Sequence, residues 1–457
     1  MTAALPRRSV DLGEVRPCLE GAIPAIMATC AADGTPNVAY ISQVYYVDEG
    51  HVSLSFQFFN KTRQNLLANP RSTLLVLNPL NAVFYRLHLR YLRTEDSGPV
   101  FESMKAQLAG IASHTGMADV FRLRGSDIHE VIEVERLPQE PLAEALPSPP
   151  PKPNHLSVLR RASSQLSGAR NLGEALDATL DALVQDLAVR HAMVLILDTT
   201  TQRLYTVASR GYETSGVGSE IALGDGVIGV AARECTPVRI MHMTSAYLYS
   251  RAMRNSLGDA CPQNTDIPYP GLPEPHSQLA VPLRSAGRVV GVLFVESPLD
   301  LQFSFEDEDL LMALGGQLGA AIDLMHEAEA PCTEVAPDVA VASVPAVPPG
   351  PALHVRHYRS NDSVFINNAY LIKGVAGAIL WKLLRDGQHG RKEFTNRELR
   401  LDSSLRLPDV ADNLEARLLL LHRRLAEQCP QLRIQKTGRG CFRFEANGPV
   451  ELEDVAA

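Results

Sequence analysis

Two groups of residues in this 457-residue chain have types and spacing suited to binding anions. In the first, Lys61, Thr62 and Arg63 stand at the start of a short predicted helix that runs to Asn69. Free N–H groups at a helix start, joined by basic side chains, suit a phosphate dianion. Ser55 and Gln57 lie two residues apart in the strand-like run just before, so their side chains share one face. The second group sits on a helix predicted over Asp412 to Gln428, with Asp412 as its N-cap. Leu414, Leu418, Leu421 and Leu425 recur there at helical spacing and would seat it on a core, while Arg417, Arg423 and Arg424 fall off that stripe. Such a helix can lay its basic side, His422 included, in a DNA groove, where guanidinium groups meet guanine or phosphate. The hairpin that follows carries Arg433, Lys436, Arg439 and Arg443, with Gly438 and Gly440 in its turn, and suits backbone phosphate or a minor groove.

The formal charge of −9 argues against nucleic acid only on average. From His354 to Glu445 there are 17 Lys and Arg against 10 Asp and Glu, so basic character is concentrated at one end. Apolar residues make up 45% and charged residues 21%, the balance of a folded protein rather than a disordered one. No run approaches the roughly 20 apolar residues of a membrane span, and the N-terminus has no signal-type apolar core, so a cytoplasmic location and no membrane partner are expected. The seven cysteines form no CxxC pair, which speaks against a zinc ribbon or a disulfide framework. His242, Cys261 and His276 are ligand types, but their spacings of 19 and 15 residues match no metal signature, so no metal is expected.

These residues must be positioned by separate domains, because the length exceeds what one core usually serves. Pro- and Ala-rich stretches at 137–153 and 328–351 read as linkers. They divide the chain into 1–136, 154–327 and 352–447, with an acidic tail at 448–457. The first segment alternates strand-like runs with turns, which predicts a β-barrel with accessory helices. The second opens and closes with helices around strands AMVLILD, LYTVASRG, QLAVPLRS and RVVGVLFVES, which predicts an antiparallel sheet flanked by helices. The third runs strand, helix, TNRELRL, basic helix, hairpin, the order of a winged helix-turn-helix. The expected class is therefore multidomain α+β.

Each segment resembles a known family. IPAIMATCAADGTPNVAYISQVYYV and VSLSFQFFNKTRQNLLANPR resemble the pyridoxamine-phosphate-oxidase-like split barrel, which binds FMN at a dimer interface. That resemblance implies that Ser55 and Gln57 address the flavin ring and that Lys61, Thr62 and Arg63 hold its phosphate. Members bind FMN, other flavins or haem, or hold no cofactor; FMN is the expectation here. IALGDGVIGVAARECTPVRI, SQLAVPLRSAGRVVGVLFVES and FSFEDEDLLMALGGQLGAAI resemble GAF sensor domains. In that family a small-molecule effector sits between the sheet and irregular loops, which implies a pocket shaped by the 242–276 insert with Tyr247, Tyr249, Arg251 and Arg254. LEARLLLLHRRLAEQCPQLRIQKTGRGCFRFE resembles the recognition helix and wing of response-regulator effector domains, although Cys441 and Phe442 replace the usual Gly-Tyr pair.

Together these readings predict a one-component, signal-responsive transcriptional regulator, in which the barrel and GAF domain sense a ligand or redox state and the winged helix binds DNA. A homodimer is expected; the Leu310, Leu311, Leu314, Leu318 and Ile322 stripe is either a seam across a two-fold axis or a face packed on its own sheet. The alternative is a flavin-dependent oxidoreductase regulated by the other two domains.

Overall fold

The computed structural model describes residues 10–19, 23–57, 61–79, 81–115, 123–138, 153–241, 267–327, 351–405, 414–438 and 440–455. Within these, three units follow one another along the chain.

The first unit is a seven-stranded antiparallel sheet in the order β2-β1-β5-β6-β7-β4-β3. Its strands are β1 (Ala25–Cys30), β2 (Pro36–Ile41), β3 (Val44–Asp48), β4 (His51–Phe56), β5 (Arg71–Leu77), β6 (Phe84–Glu95) and β7 (Gly125–Arg136). Apolar residues alternate with polar ones, so one face buries Val52, Leu54, Leu74, Leu87 and Leu89. Helix α1 (Lys61–Ala68) is pinned by buried Leu66 and by Asn65, which donates to Thr29 Oγ1 at 3.1 Å. Helix α2 (Pro99–Thr115) leaves the sheet to pack on the second unit.

The second unit carries helices α3 (His155–Gly168) and α4 (Leu172–Asp186), then strands β8 (His191–Asp198), β9 (Arg203–Arg210) and β10 (Glu220–Ala222). Helix α5 (Gly226–Glu234), β11 (Val238–Ile240), β12 (Ser277–Ser285), β13 (Arg288–Ser297) and α6 (Phe305–Glu327) complete it. The antiparallel sheet runs β10-β9-β8-β13-β12-β11. Alternate residues choose opposite faces: Val194, Val281, Leu283, Leu293 and Val295 face α3, α4 and α6, whereas Met193, Leu195, Ala280, Val292 and Phe294 face α5 and Ala106 of α2. The stripe Leu310, Leu311, Leu314, Leu318 and Ile322 is buried on this unit's own sheet, each residue at most 4% exposed, so it is not free to form the dimer seam considered above.

The third unit has a four-stranded sheet, β16-β15-β14-β20, built from β14 (Leu353–Tyr358), β15 (Ser363–Ile366), β16 (Ala369–Ile372) and β20 (Val450–Val455). The segment read as an acidic tail is thus a strand: β20 pairs in parallel with β14, and Asp454 meets His357 and Arg359. Helices α7 (Gly374–Gln388), α8 (Asn396–Leu401) and α9 (Leu414–Gln428) come next, with a sheet in the order β17-β19-β18, made of β17 (Glu393–Thr395), β18 (Leu432–Gly438) and β19 (Cys441–Ala446). Helix α8 begins with a capping box between Thr395 and Glu398. Gly377 lets α7 lie against the β14–β15 turn, since a Cβ there would come within 1.9 Å of the Asp362 carbonyl. The expected leucine stripe of α9 is buried, and the apolar cores of the second and third units form one continuous cluster. Among the described residues no helix is long and apolar enough to cross a membrane.

Candidate functional site

The first unit holds a cavity of about 330 Å³ where β2, β4 and β7 meet α1. Met27, Leu54, Phe56 and Leu66 supply an apolar lining, while Ser42, Ser55, Gln57, Thr62, Arg63 and Asp127 add polar groups. Four of the five residues expected to hold a cofactor therefore line one space. Gln57 donates to Ser42 Oγ at 2.8 Å, and the Ser42 and Ser55 hydroxyls lie 3.2 Å apart. The Gln57 Oε1 atom is buried without a protein hydrogen-bond partner, leaving an acceptor for a donor on a bound molecule. Lys61 is exposed at the start of α1, and Thr62 Oγ1 accepts from Asn37 Nδ2 at 3.0 Å.

Arg63 has a different setting from the one its place in sequence suggests. Its guanidinium donates to Asp127 Oδ1 at 2.6 Å and to Thr94 Oγ1 at 2.7 Å, and it lies over the rings of Phe56 and Tyr91. Thr94 donates to the same Asp127 oxygen at 2.5 Å. Arg63 is thus tied into the wall, and its charge is largely answered by Asp127. Sequence reasoning missed Thr94, Asp127 and His129, which reach the cavity or its wall from β6 and β7, and Ser42, which lies between β2 and β3. His129 is fully buried; its Nδ1 lies 2.8 Å from the Asp127 carbonyl, and burial pulls its pKa below the ordinary imidazole value.

The effector residues expected in the second unit, Tyr247, Tyr249, Arg251 and Arg254, lie outside the described residues, as do His242 and Cys261. His276 is described and pairs with Asp300 at 3.2 Å. The glycines of the ALGDGVIG run are turn and packing residues: Gly224 and Gly226 have φ of +87° and +59°, and a Cβ on Gly229 would meet the Ala222 carbonyl at 2.3 Å. One group of metal-ligand types, His88, Glu133 and Glu135, lies on β6 and β7; Arg86, 3.3 Å from Glu135, already places a cation beside it.

On α9 the arginines do not form an open basic face. Arg417 donates to Asp198 Oδ2 at 2.6 Å, with both side chains about a tenth exposed, and its guanidinium lies 4.1 Å over the Tyr205 ring. Burial works against the charge on Asp198, but Arg417 and the amides of Thr201 and Thr200 outweigh it and hold the carboxyl below its ordinary pKa. Arg423 donates to the Val207 carbonyl and to Asp177 Oδ1, each at 2.9 Å. Arg424 is buried and donates to the Leu371 carbonyl at 3.1 Å. Four consecutive leucines, Leu418 to Leu421, leave this helix no wholly polar side, so it packs on both its own core and the second unit. His422 and Lys436 are exposed beside a cavity of about 700 Å³ between α4, α9 and the β18–β19 hairpin, and Lys436 pairs with Glu415. Arg439 lies outside the described residues.

Comparison with known proteins agrees with two of the three units. The family model described as pyridoxamine 5'-phosphate oxidase matches residues 12–131, and the GAF domain model matches residues 169–323. Similar solved structures include the GAF domain of a phosphoenolpyruvate-protein phosphotransferase from Acinetobacter, 25% identical over 38% of this chain and 94% of that one, with a TM-score of 0.31. An FMN-binding protein from Syntrophomonas wolfei is 16% identical over 28% of this chain and 87% of that one, with a TM-score of 0.25. HupZ of Group A Streptococcus is 19% identical over 27% and 97%, with a TM-score of 0.22. No curated protein matches the chain. Residues 12–131 are accordingly a pyridoxamine 5'-phosphate oxidase-like domain and residues 169–323 a GAF domain, and the third unit lies beyond both matched ranges.

Proposed function

We infer that this chain is a flavin-binding sensory protein whose third unit is a DNA-binding output module of the winged-helix kind. The observation that carries the sensory half is the cavity that gathers Ser55, Gln57, Thr62 and Arg63 beside the start of α1. Its residues suit FMN: the buried Gln57 Oε1 offers an acceptor to a ring N–H, and Lys61 at the start of α1 offers the phosphate a cationic end. Arg63 and Asp127 set the shape of the wall rather than supplying net charge. A bound flavin would bring one- or two-electron redox chemistry, the natural input for such a sensor. A small-molecule effector in the GAF domain is the second input, and a homodimer through the barrel domain accompanies the flavin reading.

The output half rests on the order of elements in the third unit and on the basic residues of α9 and the β18–β19 hairpin. Burial of Arg417 and Arg424 favours a second reading, in which this unit works only through contacts with protein. Titration of the purified chain with FMN tests the first half, and binding to its own upstream DNA at two salt concentrations tests the second. Saturable flavin binding with salt-sensitive DNA binding is expected. Flavin binding with steady turnover of a reductant and no DNA binding would replace the regulator with an oxidoreductase.

A further inference from the structure

Resting on the DNA-binding reading of the third unit, we propose that the GAF domain is an intramolecular competitor of DNA for α9. In this arrangement Asp198 and Asp177 take the places of backbone phosphates, and the structure is the closed form.

Three observations carry the proposal. Two of the three α9 arginines that would meet DNA, Arg417 and Arg423, are already engaged by acceptors of the GAF domain. Arg417 meets Asp198, whose other oxygen is fixed by the amides of Thr200 and Thr201 at 2.8 and 3.1 Å, so the carboxylate is oriented before the arginine arrives. Arg423 meets Asp177, which Arg210 of the GAF domain also holds at 2.8 Å. Away from α9, Lys373 and Glu220 approach to 3.5 Å across the same boundary.

The contact is also apolar. A Cβ on Gly173 would stand 3.4 Å from Leu419 Cδ1, so α9 approaches the first turn of α4 closely, and the two domains share one buried cluster. A helix carrying Leu418 to Leu421 gains by keeping this cover, which makes the closed form the resting one. The seam is nonetheless incompletely packed: the cavity of about 700 Å³ reaches Glu174, Asp177, Leu419, His422, Arg423 and Lys436. The ion pairs therefore hold a boundary whose packing alone is loose beside them.

A guanidinium that points its donors at a carboxylate, the buried Asp198 or the part-exposed Asp177, cannot present the same donors to a phosphate. DNA and the GAF domain thus exclude one another on α9, and whatever weakens the GAF contact must raise DNA affinity.

The test uses the full chain with Asp177→Asn and Asp198→Asn combined, which alters only the GAF side and leaves every α9 residue in place. Hydrogen exchange across 414–428 reports release of the helix. Binding to a mixed-sequence duplex of about 40 base pairs at low salt reports its availability. Faster exchange together with at least about tenfold tighter duplex binding, a change of ~1.4 kcal/mol, is the expected result. Faster exchange with no duplex binding by either chain overturns the competition and the DNA reading with it, and faster exchange with equally tight binding by both overturns the competition alone. Unchanged exchange, with the unaltered chain binding the duplex as tightly as the variant, overturns the closed form while leaving the DNA reading intact. Leu419→Ala loosens the same seam without touching a charge and must shift both readouts in the same direction. Emission from Trp381, the single tryptophan, buried in α7 and stacked on His357, shows that the third unit is folded in each variant.

Discussion

Replacing Asp127 by Ala should damage the barrel domain more than any exposed charge change. Asp127 and Arg63 are 7% and 12% exposed, and Thr94 bonds to both. Removal of the carboxylate leaves a guanidinium in the wall, over the rings of Phe56 and Tyr91, without the anion that answers its charge. Breaking a buried pair from one side costs about 3–5 kcal/mol, because the remaining charge is uncompensated. With ~3–5 °C per kcal/mol for a domain of this size, the barrel transition should fall by roughly 10–20 °C. Calorimetry gives the shift, and hydrogen exchange in β4, β6 and β7 assigns it to the barrel rather than the GAF domain. The double replacement Arg63→Met with Asp127→Leu removes both charges and should recover most of the loss. A loss for Asp127→Ala below about 1 kcal/mol, the worth of an exposed pair, would refute the claim that this pair is a buried part of the wall.

The GAF contact of α9 should depend on pH through Asp198. Its carboxyl titrates below the ordinary value when docked, so the contact is complete above about pH 4 and is lost as pH falls through the lowered value; exchange across 414–428 should rise on that acid limb, and Asp198→Asn should remove the limb. Thr395→Ala deletes the cap of α8 and should cost about 1 kcal/mol of third-unit stability, measured by urea unfolding followed through Trp381. Gly377→Ala should cost several times more, on the order of 3 kcal/mol, since its methyl meets the Asp362 carbonyl; equal unfolding midpoints for the two variants would contradict the close approach of α7 to that turn.

Local signals were legible in the sequence and distant partnerships were not. The start of α1, the alternating strands of the barrel and the leucine stripe of α9 follow from period and from residue type within a few positions. Arg63 looks like a phosphate ligand at that range. Its actual partners, Thr94 and Asp127, are 31 and 64 residues away and meet it only once β6 and β7 pair. Arg417 looks free because the helical wheel records only the helix's own core; Asp198, 219 residues earlier, becomes its partner through packing between domains. Residues 450–455 read as a tail because VELEDV is acidic, yet its alternation suits an edge strand, and β14 supplies the missing neighbour. Leu419 and Leu420, which stand between the stripe positions Leu418 and Leu421, carry a signal that the stripe alone hides: a helix apolar on more than one side has more than one partner.

The most direct test of a flavin-binding sensor is FMN titration of the full-length chain, followed by quenching of flavin fluorescence and by equilibrium dialysis, with Lys61→Ala alongside. Saturable binding of one FMN per chain, weakened in the variant with the spectrum of the bound flavin kept, is the predicted result. Binding no tighter than about 1 mM, or tight binding indifferent to Lys61→Ala and to Gln57→Leu alike, would contradict the assignment of this cavity.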